Sequence, residues 1–107
     1  MVNERPTPSR GNVFEDLGFP REEAAHLRVR SALMAALAEL IQARGLNQRQ
    51  AASLLGVSQP RVSDLVRGRL ELFSSDMLID LLSRAGVQVE LSLSPLEKPL
   101  AVLGPQG

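Results

Sequence analysis

Apolar residues follow a helical spacing through the middle of the chain, from about Arg21 to Arg44. The segment contains neither glycine nor proline. Apolar residues recur three or four residues apart at Val29, Leu33, Leu37 and Leu40, and Ile41 follows Leu37 by four. This spacing predicts one long amphipathic helix. Gly45 follows at the position where a residue in the left-handed conformation commonly closes a helix.

A second, shorter helix is predicted from Gln48 to Leu55. Asn47 precedes it as the expected N-cap residue, and Gln50 stands three positions later, as in a capping box. Gly56 follows, and glycine readily adopts the positive φ that a sharp turn between two helices requires. The pattern therefore predicts a tight turn at the end of this helix.

The next helix is expected to begin after Ser58 and to run to about Val66. Ser58 is a typical N-cap residue, and Pro60 falls in the first turn, where a missing N–H removes no helical hydrogen bond. Gly68 is expected to end this helix. After a connector, Ser74 is expected to cap a last helix. The apolar stripe of that last helix is Leu78, Leu81, Leu82 and Ala85.

Beyond Gly86 the period of the pattern changes to two. Apolar Val87, Val89, Leu91 and Leu93 alternate with polar Gln88, Glu90, Ser92 and Ser94. This alternation predicts a half-buried strand that Pro95 stops. A strand cannot satisfy its own backbone, and no second clear strand is apparent in the sequence. The favoured interpretation is a homodimer in which the four apolar residues lie at an antiparallel interface between two copies. The alternative is an irregular extension that covers the helical core.

The two short predicted helices combine features that are typical of a DNA-binding unit. Ala51 and Ala52 provide small residues between them, and Gly56 provides the turn. The side chains expected to face outward from the second of these helices are polar or basic, and they include Gln59, Arg61 and Ser63. This combination predicts a helix-turn-helix unit.

Composition narrows the chemistry that the chain can perform. Its 107 residues are enough for one domain with a single core. There is no cysteine, which excludes disulfides and thiolate metal sites, and His26 alone cannot build a zinc site or a catalytic triad. No glycine-rich phosphate loop and no paired-carboxylate motif appears. We therefore expect no metal, no cofactor and no enzymatic activity.

The net charge of zero hides a polarised distribution. Residues 44–69 hold five arginines and one aspartate, which leaves +4, whereas residues 71–97 hold five acidic residues and one arginine, which leaves −4. A basic segment beside an acidic one favours one face for phosphate and another turned away from it. A solvated surface of mixed sign is the alternative.

The ends of the chain divide it into an arm, a domain and a tail. Residues 1–12 carry prolines and a glycine without apolar periodicity and are expected to be disordered; residues 13–94 form the domain, and 95–107 a flexible tail. Between the arm and the long helix, Phe14, Leu17 and Phe19 concentrate apolar surface that either closes over the long helix as part of the core or docks on a partner. No run of 18 apolar residues and no export signal is visible, so no membrane contact and a cytoplasmic location are expected.

The segment GLNQRQAASLLGVSQPRVSDLVRGR resembles the helix-turn-helix of lambda-repressor-like regulators, also called the xenobiotic-response-element type. With Gln48 as the first position, the small residue, the turn glycine and the apolar positions of that motif are Ala52, Gly56, Val57, Val62 and Leu65. The longer stretch from Val13 to Leu93, about three quarters of the chain, is similar in layout to HigA-like antitoxins. The features outside the helix-turn-helix segment are generic amphipathic segments, so this second resemblance is less specific than the first.

The resemblance implies a mostly α fold, a bundle of about five helices with a C-terminal β-strand used for dimer pairing. It further implies a homodimeric repressor that binds double-stranded DNA at a palindromic operator, often that of its own operon. A toxin, typically a ribonuclease, is the implied protein partner. The alternative function is an antitoxin that acts mainly by binding this toxin, through the segment from Val13 to Phe19 or through the arms of the chain.

In this motif the N-terminal half of the helix after Ser58 enters the major groove. The expected base-contacting residues are Ser58, Gln59, Arg61 and Ser63. A glutamine can pair with adenine and an arginine with guanine, and each good pair discriminates by ~1–3 kcal/mol. The expected phosphate-contacting residues are Asn47, Gln48, Arg67 and Arg69, and the resemblance suggests that Gln48 also braces Gln59. For the arginines, a solvated surface charge is the alternative.

Overall fold

The computed structural model describes residues 13–95, which form five α-helices. The helices are α1 (Val13–Asp16), α2 (Arg21–Ala43), α3 (Gln48–Leu55), α4 (Gln59–Val66) and α5 (Ser75–Arg84), with a 3-10 turn at Leu70–Leu72. The mostly α fold with about five helices is thereby confirmed. The predicted arm and residues 96–107 of the predicted tail lie outside the described residues.

The helix starts follow the side chains that the sequence provides for them. Asn47 Oδ1 accepts from the Gln50 backbone N–H at 2.8 Å, and Gln50 Oε1 accepts from the Asn47 N–H at 2.9 Å, so the capping box is confirmed. Ser58 Oγ accepts from the Arg61 N–H at 3.3 Å, and Ser74 Oγ accepts from the Met77 N–H at 3.1 Å. Each bond satisfies a donor that the first turn of a helix would otherwise leave without a partner.

One apolar core joins α2, α3, α4 and α5. The large side chains that are fully buried in it are Leu37, Leu55, Val62, Leu65, Leu78 and Leu82. Each such side chain stabilises the fold by about 1.5–3 kcal/mol relative to an exposed one. Helices α3 and α4, of eight residues each, pack on this pair of longer helices, α4 on α2 and α3 on α5.

Helix α1 packs on the beginning of α2, away from this core. Ala24 is 2% exposed and belongs to no core cluster, and the rings of Phe14 and Phe19 meet edge to face at 6.2 Å. Leu17 remains 71% exposed. The aromatic segment therefore packs on the long helix, outside the core cluster, and leaves part of its apolar surface exposed.

The segment after Gly86 contains no strand in the residues that the structure describes. Val87 and Val89 are half-buried against the core, as the alternative of an irregular extension expected. Leu91 and Leu93 are 81% and 89% exposed. The predicted strand is not confirmed, and its pairing with a second copy stays a prediction.

Within residues 13–95, none of the helices combines the length and the apolar character needed to cross a bilayer. The same residues include no cluster of three or more His, Cys, Asp or Glu side chains suited to a metal ion.

Candidate nucleic-acid interface

The turn between α3 and α4 takes the conformation that only glycine adopts readily. Gly56 has φ 70° and ψ 35°, in the left-handed region, and its N–H donates to Ala52 O at 2.8 Å. The Val57 N–H donates to the same carbonyl at 3.0 Å. Ala51 and Ala52 are buried, and their small side chains let the two helices approach each other. Capping at both helix starts and this turn give the α3–α4 unit a defined geometry.

The beginning of α4 presents polar groups to solvent. Ser58, Gln59 and Pro60 are exposed, whereas Ser63 is half-buried. Ser58 Oγ accepts from the Arg61 N–H and so caps the beginning of α4. Its hydroxyl proton can still be donated to a ligand. Of the predicted base-contacting residues, Ser58 and Gln59 are exposed, and Ser58 also caps the helix. Gln59 is therefore the exposed one whose side chain forms no capping bond.

The Arg61 side chain packs on residues at the beginning of α5. Its guanidinium carbon is 4.2 Å from the centre of the Phe73 ring, and its Nη2 is 3.9 Å from Met77 Sδ. The side chain is half-buried there. To contact a base, the guanidinium would have to leave the ring, so this contact stays a prediction.

The predicted phosphate-contacting residues lie near the two ends of the α3–α4 unit. Asn47 and Gln48, at the beginning of α3, are exposed, and so are Arg67 and Arg69 just beyond α4. Asn47 Oδ1 is engaged in the capping box, which leaves its amide N–H groups as donors. Arg44 and Arg49 are exposed as well, so most of the arginines in residues 44–69 lie at the surface.

Arg69 is paired with an acidic neighbour. Its Nε lies 3.2 Å from Glu71 Oε2, in an exposed ion pair. Hydrogen bonds from the backbone and from the Arg69 side chain lower the pKa of the Glu71 carboxyl. The carboxylate therefore competes with a phosphate for Arg69, whereas Arg67 forms no ion pair with any described residue.

Two arginines that the sequence pattern did not single out contact backbone carbonyls in the fold. Arg84 Nη1 donates to Leu55 O at 2.8 Å, and Arg30 Nη1 donates to Leu70 O at 3.1 Å. Arg84 is the single basic residue in the last turn of α5. A basic residue at a helix C-terminus can be recognised from the sequence, but its bond to a carbonyl 29 residues away cannot.

Two of the four predicted dimer residues lie beside α5. Val87 and Val89 line an open groove of about 400 Å³ together with Ile79 and Ser83. Ile79, in α5, is 39% exposed in this groove. Among the described residues, those after Val87 make no backbone hydrogen bond to another part of the chain.

The pattern of the helix-turn-helix domain family matches residues 13–94 of the chain. A solved structure named as a candidate XRE-family transcriptional regulator is similar to this chain, with 32% sequence identity and a TM-score of 0.65. The similarity covers 76% of this chain and 91% of that one. No curated protein matches the sequence. The capped α3–α4 unit and these similarities agree, and the chain therefore belongs to the helix-turn-helix domain family, of the XRE type.

Proposed function

We propose that this protein is a sequence-specific transcriptional repressor that binds DNA as a homodimer. The observation that carries the proposal is the α3–α4 unit, in which capping and a glycine turn present Gln59 and Ser58 at the beginning of α4. Membership of the helix-turn-helix family supports DNA binding, and the XRE-type structural relative supports a role in transcriptional regulation.

The exposed charge supports the same proposal. Arg44 precedes the α3–α4 unit, Arg49 lies in α3 and Arg67 follows α4, and none of them has an ion-pair partner among the described residues. Neutralising phosphates with such side chains provides affinity that does not depend on sequence. Side chains at the beginning of α4 would then add sequence preference on top of it.

Selection from a pool of randomised DNA duplexes tests the proposal. We expect the full chain to enrich an imperfect palindrome whose half-site centres lie about one helical turn, ~34–36 Å, apart. The mass of the purified complex should correspond to two protomers per duplex, and a reporter placed behind that site should be repressed. A failure to enrich any sequence would contradict the proposal, and so would a footprint over one half-site with one protomer bound.

A second candidate function is the binding of a protein partner through α1, and the exposure of Leu17 favours it. Val13 and Phe19 are also exposed, at 45% and 38%, and four acidic residues against one arginine in 13–23 give this surface a negative rim. Apolar anchors within such a rim fit a basic protein. The resemblance to HigA-like antitoxins makes a ribonuclease toxin from the same operon the finer proposal, with repression of that operon.

Removal of residues 1–19 separates this second function from the first. The truncated protein should remain folded and still bind DNA, since α1 lies outside the core, but it should no longer co-purify with a small basic ribonuclease encoded beside its gene. Leu17→Ser is the milder variant. Undiminished capture of the ribonuclease by both variants would rule out α1 as the binding surface.

A further inference from the structure

Arg84 lies in the last turn of α5, and its side chain reaches across to the end of α3. Its Nη1 donates a hydrogen bond of 2.8 Å to the carbonyl oxygen of Leu55, the last residue of α3. An α-helix leaves its last four carbonyls without an internal partner, and this is one of them. The bond is charge-assisted, and positive charge is favourable at a helix C-terminus.

The same guanidinium lies against the turn that joins α3 to α4. A Cβ atom added to Gly56 would meet Arg84 Nη1 at 3.2 Å. Gly45 and Gly68 also have positive φ, at 64° and 76°, but a Cβ atom on either would meet no atom within 4 Å. Of these three turns, only the one at Gly56 is covered by a side chain from a distant helix.

This contact matters because both helices of the unit are short. Helices of eight residues are marginal by themselves and take their stability and orientation from tertiary contacts. Val62 and Leu65 hold α4 from its buried side, but they are apolar contacts without a directional bond. The Arg84 bond to Leu55 adds such a directional bond at the point where the chain turns.

We propose that Arg84 is a positioning residue for DNA binding, which holds the Leu55 carbonyl and covers Gly56 and so sets the angle between α3 and α4. The inference rests on the proposed function. Contacts to base edges tolerate a misplacement of only ~0.5 Å, whereas phosphate contacts from mobile arginines tolerate more. Loss of Arg84 should therefore reduce sequence preference more than general affinity for DNA.

The first experiment compares Arg84→Ala with the wild-type protein on two duplexes, one enriched by the wild type from a randomised pool and one of random sequence. We expect binding to the enriched duplex to weaken about tenfold, because a displaced α4 would impair base contacts that are worth ~1–3 kcal/mol each. Binding to the random duplex and its salt dependence should not change. Equal losses on both duplexes would show that Arg84 supports general affinity or folding rather than sequence preference, and this would overturn the proposal, as would unchanged binding to both.

A second set of variants keeps the charge at position 84 and tests the contact from the other side. Gly56→Ala pushes a methyl group against the guanidinium, and Gly45→Ala is the matched control, with a similar positive φ and no such contact. We expect Gly56→Ala to weaken binding to the enriched duplex and Gly45→Ala to leave it unchanged.

The effect of Gly56→Ala on binding should depend on the Arg84 guanidinium. In an Arg84→Lys background, where the flexible amine can move aside, the effect of Gly56→Ala should be smaller. An equal effect in both backgrounds would overturn the role of Arg84. If the wild-type protein enriched no duplex, the proposed function itself would fail, which distinguishes the two outcomes.

Discussion

The guanidinium of Arg61 lies over the face of the Phe73 ring, 4.2 Å from its centre. Arg61 is in the first turn of α4, and Phe73 directly precedes the N-cap residue of α5. The ring is only 2% exposed, so the cation rests on the edge of the core. This contact ties the beginning of α4 to the beginning of α5, while Arg84 ties the end of α5 to the end of α3. Helix α5 therefore holds the α3–α4 unit at two points.

The contact between Arg61 and Phe73 should be measurable as a coupling in stability. A cation over an aromatic face contributes about 0.5–2 kcal/mol, depending on its exposure. Phe73→Leu keeps an apolar side chain in the core but removes the ring, so Arg61→Ala should destabilise this variant less than it destabilises the wild type. Urea unfolding of the two single variants and the double variant gives the coupling. Effects that add within about 0.3–0.5 kcal/mol would show that the contact has no energetic weight.

Gln59 and Arg67 should affect DNA binding in different ways. Gln59→Ala should weaken binding to the enriched duplex by ~1–3 kcal/mol and leave random DNA nearly unaffected, because an amide pairs with base edges. Arg67→Ala should weaken both and reduce the salt slope by about one, because it removes a phosphate contact. Titrations at several salt concentrations distinguish the two patterns. Parallel losses for both variants would show that the base-contacting residue is misassigned.

Asn47 combines a structural bond with a predicted phosphate contact, and two substitutions separate them. Asn47→Ala removes the cap that the Gln50 N–H requires and should lower stability by about 1 kcal/mol. Asn47→Asp keeps an acceptor and should preserve stability, but its negative charge should repel a nearby phosphate and weaken DNA binding. Thermal unfolding and titration of both variants provide the comparison. Wild-type DNA affinity for Asn47→Asp would place the phosphate backbone away from this helix start.

Proline substitutions test the dimer contact beyond Val89. In an antiparallel pair, N–H groups of successive residues point to opposite edges, so Leu91→Pro and Ser92→Pro remove donors on different edges. One of the two should weaken dimerisation about tenfold, because the two-fold axis doubles each lost bond. Both residues are exposed, so the fold of the protomer should not change. Sedimentation equilibrium measures the effect, and an unchanged dimer constant in both variants would contradict strand pairing.

The sequence alone was sufficient for the features that depend on near neighbours. Asn47 and Gln50 are three residues apart, and their reciprocal hydrogen bonds were predictable because the capping box depends only on local backbone geometry. The same holds for Gly56, since a short helix followed by a glycine and a new cap implies a left-handed turn. The apolar stripe of α5 was predictable from its spacing, and Leu78, Leu81 and Leu82 are buried.

The tertiary structure decided which long side chains meet across the bundle. Arg61 reached Phe73 rather than solvent, and Arg84 reached Leu55, because the packing of the core sets the distance and angle between helices that are far apart in sequence. The alternation after Gly86 likewise did not reveal that Val87 packs on the core while Leu91 stays exposed. A periodic pattern specifies which face of a segment is apolar, but the surface available to cover that face exists only after the helices have packed.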